Sequence, residues 1–239
     1  MSHPRIIRYT MFQPSPGYPD TDLRKQFQEN RDKYEQLTAE RAPPELTELL
    51  DVSTFWDAEV QLLDRVPHHI SQHGYIKNKR LLEAIALWKF PIAVGKIREN
   101  PEDQISAVTE KAFRADTAED AIATLSELSG VGDSIAGTIL MFTNPQRYTV
   151  MDPRATGALA KLGYWNRKQA ATRNYYEDYC LRCHELSQRT GFSLRDVDRA
   201  LFIAGGGGDE WLALVGERDR WLFFFSSRRR HTRCAIVTG

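Results

Sequence analysis

Asp152 and the paired glycines Gly130 and Gly132 are the residues whose types and spacing could do chemistry together. The aspartate lies 20 residues after Gly132 and is followed by Pro153 and Arg154. A carboxylate can stabilise a developing cation or activate a water. Asp also caps helices well, a role worth about 1 kcal/mol, so the same residue has a purely structural reading. The glycines bracket Val131 in Leu128-Ser-Gly-Val-Gly-Asp-Ser-Ile-Ala136. Glycine reaches positive φ without a Cβ clash, so the chain can reverse there in few residues. Such a turn leaves backbone N–H groups pointing outward at a helix N-terminus. That is an anion site, and a DNA phosphate is one anion that fits it. The competing reading is a tight turn between two helices and nothing more.

These groups need helices to hold them, and the apolar periodicity supplies the helices. Ala118, Ala121, Ile122, Leu125 and Leu128 form one helical face before the turn. Val131 is expected to pin the turn into the core. Asp133 or Ser134 is expected to cap a helix over 134–142, whose apolar face is Ile135, Ala136, Ile139, Leu140 and Phe142. Asp152 is expected to cap a helix from Pro153 to Leu162, with Pro153 at its first position and Gly163 as its stop. Further helices are predicted over 23–40, 45–50, 54–66 (ended by Pro67), 78–89, 91–98, 101–114, 118–128, 168–189 and 194–204. Convincing β alternation and internal repeats are absent. The chain therefore reads as all-α, a multi-helix bundle with short loops. It divides into an N-terminal arm and helices (1–66), a helical domain (67–204), and a glycine-rich linker with a tail (205–239).

The register of turn and aspartate resembles the helix-hairpin-helix (HhH-GPD) DNA glycosylases. In that family the turn reads L-P-G-V-G-x-x-x-A, and an aspartate follows at the same distance. The resemblance covers roughly residues 70–204. Asn144-Pro-Gln-Arg-Tyr-Thr-Val-Met-Asp-Pro-Arg154, Leu81 to Lys89, and Asp196-Val-Asp-Arg-Ala-Leu-Phe202 are similar to a group of bacterial glycosylase-like proteins named by their fold. The resemblance implies that Asp152 is catalytic. It implies that Gly130, Val131, Gly132 and Ser134 contact the DNA backbone, with Lys89, Arg147 and Arg154 as basic helpers. A glycosylase must extrude its base and stack it. Tyr148 and Trp165, the aromatics nearest Asp152 in sequence, are the base-pocket candidates. Two departures matter. The lysine that forms a Schiff base in the lyase branch is replaced by Ser134, so hydrolysis without strand cleavage is expected. Asp133, just after the turn, would repel a phosphate at short range.

Bulk properties bound the alternatives. The length of 239 residues suits one large domain or two small ones, and 41% hydrophobic residues suffice for a core. Basic and acidic residues number 32 each, so net charge lends no support to nucleic-acid binding. Residues 223–239 resemble the translation of a sequencing-library adapter. Setting 226–239 aside removes four arginines and no acid, leaving 28 basic against 32 acidic residues, a net of −4. Three cysteines fit a reducing cytoplasm better than a disulfide framework. No signal peptide and no membrane span is legible, so a cytoplasmic, monomeric protein is expected.

Cofactors are not expected. Cys180-Leu-Arg-Cys183-His184 matches the haem-attachment string, but it falls inside a predicted helix. Zinc needs about four ligands, and these residues offer three. An iron–sulfur cluster needs four cysteines, which the chain does not have. His68, His69 and His73 read as a surface cluster. Lys77, Lys79, Arg80 and Lys89 form a basic segment that could touch phosphates.

Three functions stay open at this level. The first is a monofunctional DNA glycosylase acting on double-stranded DNA in base-excision repair. The second is a non-catalytic DNA-binding module, favoured by Ser134, Asp133 and the acidic balance. The third is a protein-interaction domain on the same scaffold.

Overall fold

A computed structural model of the protein describes residues 20–166 and 171–207. Eleven α-helices and no strand occur among the described residues. They are α1 (Asp20–Thr38), α2 (Pro44–Leu50), α3 (Phe55–His73), α4 (Lys79–Lys89), α5 (Val94–Ile97), α6 (Glu102–Phe113), α7 (Ala118–Leu125), α8 (Asp133–Thr143), α9 (Pro153–Lys161), α10 (Tyr176–Thr190) and α11 (Leu194–Ala204). Short 3-10 turns at Pro91–Ala93 and Arg173–Tyr175 lead into α5 and α10. The helices start where small polar side chains can accept orphan backbone N–H groups. Thr54, Asn78, Thr117, Asp152 and Ser193 each do so.

One continuous apolar core joins the helices. Trp88 sits near its middle, stacked on Phe55 at 5.7 Å and edge-on to Phe142 at 5.0 Å. α1 packs along α11, and α11 packs along α9. The tail of α11 comes so close to α9 that a Cβ on Gly205 would stand 2.2 Å from the Arg154 carbonyl oxygen.

Three expectations need correction. The helix predicted to stop before Pro67 continues to His73, so the boundary at 66/67 falls inside α3. A mid-helix proline costs about 3 kcal/mol. Leu62 and Val66, both fully buried, fix the turns before it. Ile70 packs against the core after it, and this packing holds the helix together. The helix predicted from residue 168 begins at Tyr176; residues 167–170 lie outside the described residues, as do 1–19 and 208–239 with the arm and tail. Finally, Gly132 is the N-cap of α8, in place of Asp133 or Ser134. Its extended backbone takes the half-in position, and Asp133 becomes the first helical residue.

A buried charge network ties α1, α3 and α11 together. Glu59 of α3 accepts from Arg195 Nε at 2.7 Å, from Arg199 Nη2 at 2.7 Å and from the Tyr34 hydroxyl at 2.7 Å. Arg195 also pairs with Asp198. The Arg195 guanidinium lies 5.2 Å over the Trp88 ring, and that of Arg199 lies 4.5 Å over Trp56. Burial alone would raise the Glu59 carboxyl, but the two guanidiniums outweigh it and hold the group at about 2.

Candidate functional site

Asp152 ends an extended segment whose carbonyls are held from α10. The Tyr176 hydroxyl lies 2.7 Å from Thr149 O and 3.0 Å from Gly137 O. That of Tyr179 lies 3.1 Å from both Val150 O and Asp198 Oδ1. Gly137 is needed for this: a Cβ there would stand 2.9 Å from the Tyr176 ring. The segment thus delivers Asp152 to the head of α9 at a set height and angle. There the carboxylate caps the helix, with Oδ1 accepting from Arg154 N at 2.9 Å.

Two cations complete its surroundings. Lys89 Nζ, at the end of α4, lies 3.6 Å from Asp152 Oδ2, and Arg154 Nη1 lies 3.5 Å from Oδ1. The carboxylate side chain is only 13% exposed and that of Lys89 16%. Burial pushes the Asp152 carboxyl up. Lys89, the Arg154 backbone N–H and the Arg154 guanidinium outweigh burial and hold the group below the usual carboxylate range. Asp152 is therefore an anion at neutral pH. Lys89 also acts on Asp198, whose carboxyl burial pushes up against the fields of Arg195 and Lys89.

The glycine turn is built as expected around Val131, which is buried between α7 and α8. Gly130 has φ of 80°, in the left-handed region. Its missing Cβ would meet Ala93 O at 2.9 Å, so the turn abuts the 3-10 turn Pro91–Ala93, four residues beyond Lys89. Asn100, 3% exposed, locks the turn from the side. Its Oδ1 accepts from Ser129 N at 2.8 Å, and its Nδ2 donates to Ser129 O at 2.9 Å. Gly132 differs from Gly130: its φ is −98° and nothing lies within 4 Å of a Cβ built there. It leaves open space at the N-terminus of α8, where no side chain caps the helix. Ser134 is exposed on the same first turn. The acid feared as a phosphate repellent is engaged: Asp133 Oδ2 accepts from Arg173 N at 3.2 Å, with the Arg173 guanidinium 3.9 Å from Oδ1.

The remaining sequence candidates divide. Arg147 is exposed, with its guanidinium 4.9 Å over the Tyr148 ring. Tyr148 is half-buried and tilted against Tyr176 at 6.2 Å. Trp165 is buried at 6% exposure, edge-on to Tyr179 at 6.0 Å and to Tyr175 at 6.3 Å. Lys79 is committed to backbone carbonyls, donating to Asn100 O at 2.8 Å and to Arg98 O. Cys180 and Cys183 are buried along α10, and burial pushes the Cys180 thiol up to about 12. Among the described residues, no group of three or more His, Cys, Asp or Glu could hold a metal ion. No helix among them is long and apolar enough to cross a membrane.

Sequence reasoning passed over Asn100, Glu59, Arg195 and Arg199. A lone asparagine between helices gives no periodic signal. The α11 charges do give one, because Arg195, Asp198 and Arg199 interleave with Leu194, Val197, Ala200 and Leu201 until no solvent face remains. Compared with known proteins, the chain matches no family model, no curated protein and no solved structure.

Proposed function

We propose that this protein binds double-stranded DNA and hydrolyses the N-glycosidic bond of a damaged or mismatched base, without a Schiff-base lysine in its glycine turn. The observation that carries the reading is the mostly buried Asp152 carboxylate at the head of α9, set between Lys89 and Arg154 and held below the usual carboxylate range by them. In such a reaction the C1′–N bond breaks, positive charge develops on the sugar, and a water oxygen bonds to C1′. The base departs with its electron pair and collects a proton. A carboxylate held below the usual range is a poor proton acceptor and a good fixed anion. Asp152 therefore serves chiefly by stabilising the sugar cation. Lys89 and Arg154 neutralise it in the free protein. Backbone phosphates arriving at the site compete for both cations and release the carboxylate's field to the sugar.

The turn supports the same reading. The uncapped first turn of α8 and the open space at Gly132 suit a phosphate oxygen. Ile92 is 44% exposed on the 3-10 turn against which Gly130 rests. An apolar side chain there could enter the stack when a base leaves it.

A specific observation favours a second reading, a DNA-binding module without chemistry. Every contact of Asp152 is one that a structural N-cap could make. The test is base release from duplexes carrying uracil, oxidised guanine, alkylated adenine or mismatches. Release from any of them supports the enzyme. Salt-sensitive binding without release from all of them supports the module.

A further inference from the structure

At the far end of α4 from Lys89, the molecule carries a groove of about 360 Å³ between α2, α3 and α4. Eleven residues of helix separate the two ends, about 15 Å, so the groove is not part of the Asp152 site. Its size suits a small organic ligand. Its side chains offer more donors than acceptors.

Two guanidiniums stand in the lining. Arg80 is exposed and has neither an ion pair nor a side-chain hydrogen bond among the described residues. Arg65 donates to Gln61 Oε1 at 3.0 Å, a neutral partner that leaves its charge uncompensated. The neutral side chains present donors as well. Asn78 spends Oδ1 on Arg80 N at 2.9 Å, which leaves its Nδ2 hydrogens. His69 Nε2 accepts from Lys77 N at 3.1 Å, which places the ring proton of the neutral form on Nδ1. The Gln72 amide nitrogen lies 2.9 Å from His68 Nε2. Asp64 is the one carboxylate of the lining. Leu49 of α2, half-buried, adds apolar surface, with Leu50 and Leu81 buried behind it.

We propose that this groove binds a phosphomonoester carried on a nucleoside. The phosphate sits between Arg65 and Arg80, where planar guanidiniums can each give two hydrogen bonds. Asp64 accepts from a sugar hydroxyl, and the base lies against Leu49. A monoester presents three free oxygens to the two guanidiniums, so the ligand is either a free mononucleotide or the 5′-phosphorylated end of a strand. The proposal does not depend on the glycosylase reading.

The test is calorimetric titration of the full chain with adenosine 5′-monophosphate, adenosine and inorganic phosphate, repeated with Arg80→Ala and Arg65→Gln. Both side chains are exposed and hold nothing in the core, so folding is not at risk. The monophosphate should bind at least about tenfold more tightly than adenosine or phosphate, and each variant should lose about tenfold. Lys89→Ala should leave this binding unchanged. A short single strand with a 5′-phosphate, set against its 5′-hydroxyl twin, separates the two sources. Tighter binding of the phosphorylated strand than of the mononucleotide assigns the strand end, and the reverse assigns the free nucleotide. Equal binding of adenosine and its monophosphate, no binding at millimolar concentration, or indifference to both variants would overturn the proposal.

Discussion

Lys89 Nζ lies 3.6 Å from Asp152 Oδ2, which joins the end of α4 to the head of α9 across the site. The pair is mostly shielded from water, so screening is weaker than for a surface ion pair. It also explains why a carboxylate that burial should protonate remains charged.

The ionisation of Asp152 has a direct consequence for pH dependence. A group whose folded value is depressed stays charged until the pH falls below the ordinary carboxylate range. Base release should therefore show no acid limb from Asp152 between pH 5 and 8. A rate profile across that range, with protein integrity followed in parallel, checks this. A sharp fall near pH 6 would assign the rate to a different group.

The two glycines of the turn should separate under mutation. Gly130→Ala forces a side chain into the left-handed region and against Ala93 O, so it should destabilise the fold by roughly 1–3 kcal/mol. Gly132→Ala meets open space at an ordinary φ and loses only glycine's advantage over alanine at an N-cap, so it should cost less than about 1 kcal/mol. If the N-terminus of α8 receives a phosphate, Gly132→Ala should instead weaken duplex binding. Thermal melts and duplex titrations of the two variants test the contrast.

Lys89 gives a salt-dependent prediction. If Lys89 leaves Asp152 for a phosphate on binding, Lys89→Ala should lower the slope of log affinity against log salt by about 1. The same slope in wild type and variant would show that the lysine stays with the aspartate.

Glu59 is expected to matter for stability and not for chemistry. Removing its charge as Glu59→Gln leaves Arg195 with Asp198 alone and Arg199 with Asp196 alone, two buried cations short of one anion, at a cost of about 3 kcal/mol. Its carboxyl is held at about 2, so the stabilisation is complete above the ordinary carboxylate value of about 4.3 and drains away as the pH falls towards 2. Denaturant melts should show wild type losing more stability than Glu59→Gln between pH 5 and 3.

Much of this was legible in the residues, and the gaps have physical causes. The cap at Asp152 and the stop at Gly163 (φ 81°) follow from local backbone chemistry, which a single chain displays openly. Pro67 misled because tertiary packing of Leu62 and Val66 outweighs a local penalty. Nearness of Trp165 to Asp152 in sequence does not give its burial against Tyr179 and Tyr175, which packing sets. The Lys89–Asp152 pair could be named only as two separate candidates, since 63 residues separate them and only the packed helices bring them together. Asn100 was invisible because its role is to satisfy the backbone of Ser129.

The central claim is that Asp152 does chemistry beyond capping α9. Asparagine caps a helix as well as aspartate does, within a few tenths of a kcal/mol. Asp152→Asn should therefore keep its cap and fold, and should hold duplex DNA at least as tightly as the wild type, because Lys89 and Arg154 lose their competing anion. The decisive measurement is base release by wild type and Asp152→Asn side by side, on the most reactive duplex found, with duplex affinity measured for both. The account predicts a loss of about a hundredfold or more in release with affinity retained. Equal release from the two proteins would contradict it.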